Sequence, residues 1–144
     1  MKKLLMFAAI SAVTLVACKK DDDDDNNNPT NEQMILGTWT SVVIEGSTYD
    51  NTNSDTVASY SIPGPFYTLT FEANGVVKSQ FVGDSTYTGT YTLNGNTLVA
   101  ITDGDTVGGE ISTLTSNKLI FEETDTYTEG SVSYTDKSYF EFSK

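Results

Sequence analysis

The chain has no histidine and no arginine, and a single cysteine, in 144 residues. Each absence removes a class of chemistry. Without His or a spare Cys, the usual zinc, copper and iron sites lack a ligand set. Ser-His-Asp and Cys-His nucleophile systems cannot be assembled for the same reason. Without Arg there is no planar fork to grip phosphate or carboxylate bidentately. Positive charge is scarce altogether: eight lysines face 20 Asp and Glu, for a net charge of −12. Such a surface repels a phosphate backbone and excludes nucleic acid as a partner. One cysteine cannot form a disulfide within the chain, so the fold must rest on its core, which a domain of this length can build. The longest apolar run, Leu4 to Val16, falls short of the roughly 20 residues that span a bilayer as a helix.

That run is nevertheless informative. Met1-Lys2-Lys3 precedes it, and the small Ala17 follows it, just before Cys18. Positive start, apolar middle and small residue, in that order, are the three regions of a secretory signal. A cysteine directly after the cut resembles the lipobox of bacterial lipoproteins. The resemblance implies removal of residues 1–17, a diacylglycerol thioether on the Cys18 sulfur, and a fatty-acylated (palmitate) amino terminus. Each buried acyl methylene contributes about 0.8 kcal/mol, so one chain holds marginally and two or more hold firmly. A buried core cysteine is not expected here, because Lys19, Lys20 and five aspartates follow at once.

Residues 18–33 then read as the lipidated cysteine and a solvated tether. From Lys19 to Asn31 only Pro29 is apolar, and like charges in a row repel. The sixteen residues from Lys19 to Met34 give a coil span of about 20–25 Å. Lys19 and Lys20 with Asp21, Asp22 and Asp23 also resemble the acidic surface-export signal of Bacteroidetes lipoproteins. That resemblance implies an outer-membrane location, displayed at the cell surface. A plain soluble spacer is the compositional alternative.

From residue 34 to 144 the pattern is one all-β domain. Thr, Tyr, Val and Phe alternate between tight turns, and no window of a dozen residues carries a helical stripe. Asn31–Leu36 could form a short helical turn, as could part of Ser47–Ser59. Strands are predicted over Thr38–Glu45, Tyr67–Glu72, Val76–Val82, Ser85–Leu93, Thr97–Thr102, Thr106–Leu114, Lys118–Thr128 and Ser131–Phe142. Turns at Asn74-Gly75, Gly83-Asp84, Asn94-Gly95, Asp103-Gly104, Ser116-Asn117 and Glu129-Gly130 join them. Gly46–Ser59 is expected as a polar connection, and Ile62-Pro63-Gly64-Pro65 as a bend. Eight sequential strands close most simply into an up-and-down antiparallel barrel, which removes free edges. A sandwich needs longer crossing connections. Aromatic and aliphatic residues share the inward parity, except that the last strand places Asp136 and Ser138 there, where a bulge or a polar patch is expected.

Gly37-Thr38-Trp39 opens the first strand and holds the only tryptophan. Followed by an eight-stranded meander, Gly-x-Trp resembles the lipocalin signature. The wider series resembles the lipocalin-like domains of Bacteroidetes outer-membrane lipoproteins. It consists of Ile35 to Trp39, Leu69-Thr70-Phe71 before Asn74-Gly75, Gly89-Thr90-Tyr91 with Asn94 to Leu98, and Leu114 to Leu119. Gly37 and Trp39 then act as a structural signature, with Trp39 as a plug at the closed end. Lipocalins usually stack an arginine over this ring. Here Lys137 or Lys144 is left to cover it by a cation–π contact.

The inward set is bulky: Tyr67, Phe71, Phe81, Tyr87, Tyr91, Phe121, Tyr134 and Phe140. It supports two readings. In one, the core is packed and the protein is an interaction module that contacts another envelope protein through the Gly46–Pro65 loop or the acidic surface. In the other, Tyr67, Phe71, Tyr87, Tyr91, Phe121 and Phe140 line a pocket for a small apolar or amphipathic ligand, with Gly89 making space. No enzyme is expected. Glu122 and Glu123 are adjacent on a strand and point to opposite faces, so they cannot work as a glycosidase pair. Asn51, Asn53 and Asp55 alternate as in a calcium loop, but Thr56 stands where such a loop needs Gly. The expected protein is a monomer that uses no metal and no cofactor, and meets the membrane through lipid on Cys18.

Overall fold

A computed structural model describes residues 28–144. The readings placed on the signal segment, Cys18, Lys19, Lys20 and Asp21–Asp23 lie outside the described residues. The chain enters through a short helix, α1 (Asn31–Met34), at whose start the Thr30 N–H donates to Gln33 Oε1 at 3.0 Å. Nine strands follow: β1 (Gly37–Asp50), β2 (Asp55–Pro63), β3 (Tyr67–Phe71), β4 (Val76–Phe81), β5 (Tyr87–Asn94), β6 (Thr97–Thr102), β7 (Asp105–Leu114), β8 (Lys118–Glu129) and β9 (Val132–Ser143).

The expected barrel is there, with one strand more than the sequence pattern predicts. Strands β1, β3 and β4 through β9 pair antiparallel in that order, and β9 returns to β1 from Thr40↔Ser143 to Asp50↔Tyr134. That return closes eight strands into a barrel. The additional strand is β2. Residues 46–59, expected as a polar connection, are the upper half of β1, a turn at 51–54, and the start of β2. Local polar groups build the turn: Asp50 Oδ1 accepts the Thr52 N–H at 2.8 Å, and Asn53 Oδ1 accepts the Asp55 N–H at 3.1 Å. Every residue of β2 is exposed. A strand with neither face buried has no reason to alternate polar and apolar residues, so periodicity cannot reveal it.

β2 and β3 lie end to end along one edge of β1, with Val43↔Pro63 above and Thr40↔Thr68 below. The chain kinks between them at the cis peptide Gly64–Pro65, and the β1 ladder to β9 shifts register between Ser41 and Val43. The kink takes two N–H groups out of the ladder. Ser41, 3% exposed, receives both: its Oγ accepts from Phe66 N–H at 3.2 Å and Tyr67 N–H at 3.1 Å. The bulge-or-patch question on the last strand resolves as a patch. The β8–β9 register is unbroken from Lys118↔Ser143 to Glu129↔Val132, so Asp136 and Ser138 keep the inward parity.

One end of the barrel is plugged. Trp39 is fully buried and donates from Nε1 to the Ile35 carbonyl at 2.6 Å. Of the two lysines expected as candidates, Lys144 covers the indole, with Nζ 4.3 Å from the ring centroid, while Lys137 lies over Tyr49 instead. Lys144 Nζ also donates to the Met34 carbonyl at 2.8 Å, tying the last residue to the end of α1. This crossing explains the glycine of Gly-x-Trp. Gly37 has φ +111°, which L side chains rarely adopt, and a Cβ there would stand 3.3 Å from Lys144 Cε. Above the plug, Leu69, Phe71, Val77, Leu98, Leu119, Phe121 and Phe142 fill the lower barrel with almost no exposure.

Two stability outcomes follow. Ser41→Ala leaves two N–H groups at the β2–β3 kink without an acceptor and is expected to lower unfolding free energy by about 1–3 kcal/mol. Lys144→Met keeps the apolar stem but removes the charge over Trp39, for an expected loss of about 0.5–2 kcal/mol. Urea unfolding followed by the emission of the single tryptophan measures both, and the second variant should also shift the native-state emission maximum.

Candidate functional site

The open end of the barrel is built by the upper ends of the strands opposite the plug. Seven of the eight barrel strands contribute on their inward parity: Ile44 from β1, Tyr67 from β3, Ser79 and Phe81 from β4, Tyr87 from β5, Thr102 from β6, Val107 from β7 and Phe140 from β9. Asp84 in the β4–β5 turn and Asp103 and Asp105 at the β6–β7 turn complete the rim. The enclosed space is about 340 Å³. That lies at the small end of the roughly 300–1,000 Å³ of ligand clefts.

The mouth is aromatic on one wall and hydroxylated at its floor. Tyr67 and Phe81 lie with ring centroids 4.5 Å apart, and Phe81 is half exposed. At the floor, Ser79 Oγ donates to Thr102 Oγ1 at 2.8 Å, bridging β4 and β6 across β5, with both residues buried. Burial pushes the Tyr67 hydroxyl above its ordinary pKa and the Asp105 carboxylate adds to this, while Ser79 acts in the opposite sense. The Tyr67 phenol therefore stays neutral and serves as a hydrogen-bonding group.

The six aromatic residues expected at a ligand site are not all brought together. Tyr67, Tyr87 and Phe140 line the mouth. Phe71 and Phe121 lie below it in the packed lower barrel, where Phe121 stacks on Phe140 at 4.7 Å and on Phe142 at 5.9 Å. Tyr91 is at the closed end: its ring meets Phe71 edge-on at 4.9 Å and its hydroxyl donates to the Glu72 carbonyl at 3.0 Å. Strand direction separates them, because β5 descends from Tyr87 at the mouth to Tyr91 near the plug. Gly89 does not open the cavity either. A Cβ there would collide with the Ile101 carbonyl of β6, so the missing side chain is filled by a neighbouring backbone.

The residues that sequence reasoning missed at the mouth are Ile44, Ser79, Thr102, Val107 and the three aspartates. Inward parity marks Ser79 and Thr102, and the turn dipeptides Gly83-Asp84 and Asp103-Gly104 place the aspartates at strand ends. Neither signal says that these ends converge, which needs the barrel's stagger.

Above the mouth the wall continues on one side as a sheet of β2, β1, β9 and β8. Its inward parity carries Tyr60 packed over Gly46, then Ser138 and Asp136 on β9, and Glu123, Asp125 and Tyr127 on β8. Tyr127 stacks on Tyr134 at 5.5 Å. Asp125 faces Asp136 across the ladder, and Asp136 Oδ1 is buried without a partner among the described residues. Desolvation, reinforced by Asp125, raises the Glu123 carboxyl above its ordinary value. Among the described residues, no group of three His, Cys, Asp or Glu is arranged to hold a metal ion, and no helix is long and apolar enough to cross a membrane.

A closed up-and-down barrel, plugged at one end by a tryptophan after a glycine and open at the other, agrees with what sequence comparison finds. A search of curated proteins returns no match. A family model described as a lipocalin-like domain matches residues 35–121, from the residue that accepts the Trp39 indole hydrogen bond to the first third of β8. The match covers more than half of the chain, and the protein belongs to the lipocalin-like domain family.

Proposed function

We propose that this protein is a non-enzymatic binding protein that holds a small apolar or amphipathic molecule in the mouth of its barrel. The observation that carries the reading is the cleft of about 340 Å³ between Tyr67, Tyr87 and Phe140, above a filled lower barrel. Apolar walls supply the driving force, and the Ser79–Thr102 pair and the Tyr67 hydroxyl supply polar handles. The packed floor confines the ligand to the upper half, so the occupant is compact or leaves part of itself outside. Membership in the lipocalin-like family supports a ligand-binding barrel.

We further propose that the barrel is carried as an outer-membrane lipoprotein, anchored through lipid on Cys18 and displayed at the cell surface. The ordered signal regions before Cys18 and the acidic run after it support this reading. The protein then acts as a monomer close to a bilayer, with no metal and no cofactor. A second reading has one specific observation behind it. Residues 46–65, expected as a partner-binding loop, include a β-hairpin whose strand β2 has one edge free, and a strand of an envelope protein could pair there.

The first reading predicts that the full-length chain binds the neutral fluorophore N-phenyl-1-naphthylamine saturably at one site. Val107→Phe, which fills the mouth from β7, is expected to weaken binding at least tenfold without changing the melting temperature. Absence of saturable binding to the unsubstituted protein would sink the carrier reading. For the anchor, Cys18→Ser is expected to move the protein from the membrane fraction to the soluble fraction. Retention of that variant in washed membranes would remove the lipid from the account.

A further inference from the structure

The charge around the mouth is of one sign. Asp84, Asp103 and Asp105 are its only acidic lining residues, and no lysine lines it. They come from two neighbouring hairpin turns, so the carboxylates stand along one side of the opening. The four lysines of the described residues are engaged elsewhere. Lys78 pairs with Glu72 and Lys118 with Glu141, while Lys137 lies over Tyr49 and Lys144 over Trp39.

The rim carboxylates differ in their own bonding. Asp84 Oδ1 accepts the Ser85 N–H at 3.2 Å. Asp103 and Asp105 have no hydrogen-bond or ion-pair partner for their carboxylates among the described residues. Asp103 is also held with φ +53° in the β6–β7 turn, which fixes its position at the edge of the opening. Beside these charges stand the aromatic rings of Tyr67, Tyr87 and Phe81, with Val107 and Phe140 completing the apolar wall. The sheet rising above the mouth adds Glu123, Asp125 and Asp136 on the parity that faces inward.

An apolar cleft under a rim of unneutralised carboxylates discriminates among amphiphiles by charge. An anionic head, such as a carboxylate or phosphate, meets repulsion there and has no lysine or arginine to pair with. A neutral head gains only hydrogen bonds. A cationic head gains Coulomb attraction from the rim and the negative faces of the aromatic rings together. We propose that the molecule held in the mouth is an organic cation with a compact apolar body, an amine or quaternary ammonium whose charged head lies at the Asp103–Asp105 turn while its body rests against Tyr67, Tyr87 and Phe140. This rests on the mouth being the binding site, and adds the charge class of the ligand.

The test uses one tail with three heads: decyltrimethylammonium, decanol and decanoate, each below its aggregation concentration, titrated into the full-length chain by calorimetry. Decyltrimethylammonium is expected to bind at least tenfold more tightly than decanol, with decanoate weakest, and to lose affinity as salt rises. The double variant Asp103→Asn, Asp105→Asn should weaken the cation about tenfold and leave decanol unchanged. Asn tolerates the left-handed backbone at 103, so the fold is kept, and an unchanged melting temperature checks it. Asp55→Asn with Glu129→Gln removes the same charge at the far hairpins and should leave cation binding intact.

Equal affinity for the three heads overturns the cationic assignment and leaves the mouth as a binding site. Equal loss in the rim and the control variants also overturns it, because the attraction would then be that of the whole acidic surface. Binding of none of the three probes overturns the mouth reading and this inference with it.

Discussion

Everything in this barrel depends on how β1 divides its two edges. One edge runs beside β9 from Thr40 to Asp50 and closes the cylinder. The other edge serves two neighbours in succession, β3 below and β2 above. The changeover falls where β1 shifts register and where the facing chain kinks, so the two irregularities are a single device. Ser41 makes it affordable by accepting the N–H groups that the kink releases. Because Tyr67 is one of those two residues, the same hydroxyl that repairs the ladder also fixes the first aromatic wall of the mouth. Fold and site share that atom.

The two ends of the cylinder are then finished in opposite ways. At the closed end the polar groups turn inward to one another: the indole N–H to Ile35, the Lys144 ammonium to the ring and to Met34. Desolvation lowers the pKa of that lysine, in the sense that opposes its charge. The cation–π contact and the carbonyl acceptor offset it. At the open end the equivalent positions are turn aspartates that no lysine of the described residues pairs with. An end sealed by a cation and an end rimmed by anions give the barrel a polarity along its axis, and only the second leaves room for a visitor.

Much of the fold was legible because it is written in two short-range signals. Turn dipeptides mark the hairpins as expected, with Asn74-Gly75 between β3 and β4 and Asn94-Gly95 at the end of β5, and alternation placed Leu69, Phe71 and Phe121 inside. β2 was illegible because it is stabilised by hydrogen bonds to β1 rather than by burying a face, and backbone pairing leaves no mark on composition. Gly89 was misread for a related reason. A sequence shows that a side chain is missing but not what occupies the gap, and here the occupant is the Ile101 carbonyl. At the mouth, parity placed Tyr67, Tyr87 and Phe140 on the inward face but could not rank inward residues by height. Height depends on strand direction and stagger, which separated Tyr91 and the two buried phenylalanines from the mouth.

The height at which the barrel stops being packed also bears on what it can select. Phe142, Phe121 and Phe140 form a continuous stack from the packed lower barrel upward, and its last member, Phe140, is part of the wall of the mouth. A deeper cavity would require removing members of that stack, at the several kcal/mol that truncating a buried aromatic costs. Shallow depth is therefore built into the stability of the domain rather than adjustable apart from it. In a shallow mouth the rim makes up a large share of the surface a ligand meets. On the proposed reading, selection rests on the turns that carry Asp84, Asp103 and Asp105, segments that contribute little to the core and can vary without disturbing it. On the proposed binding reading, the packed half sets how large an occupant can be, and the turns set its charge.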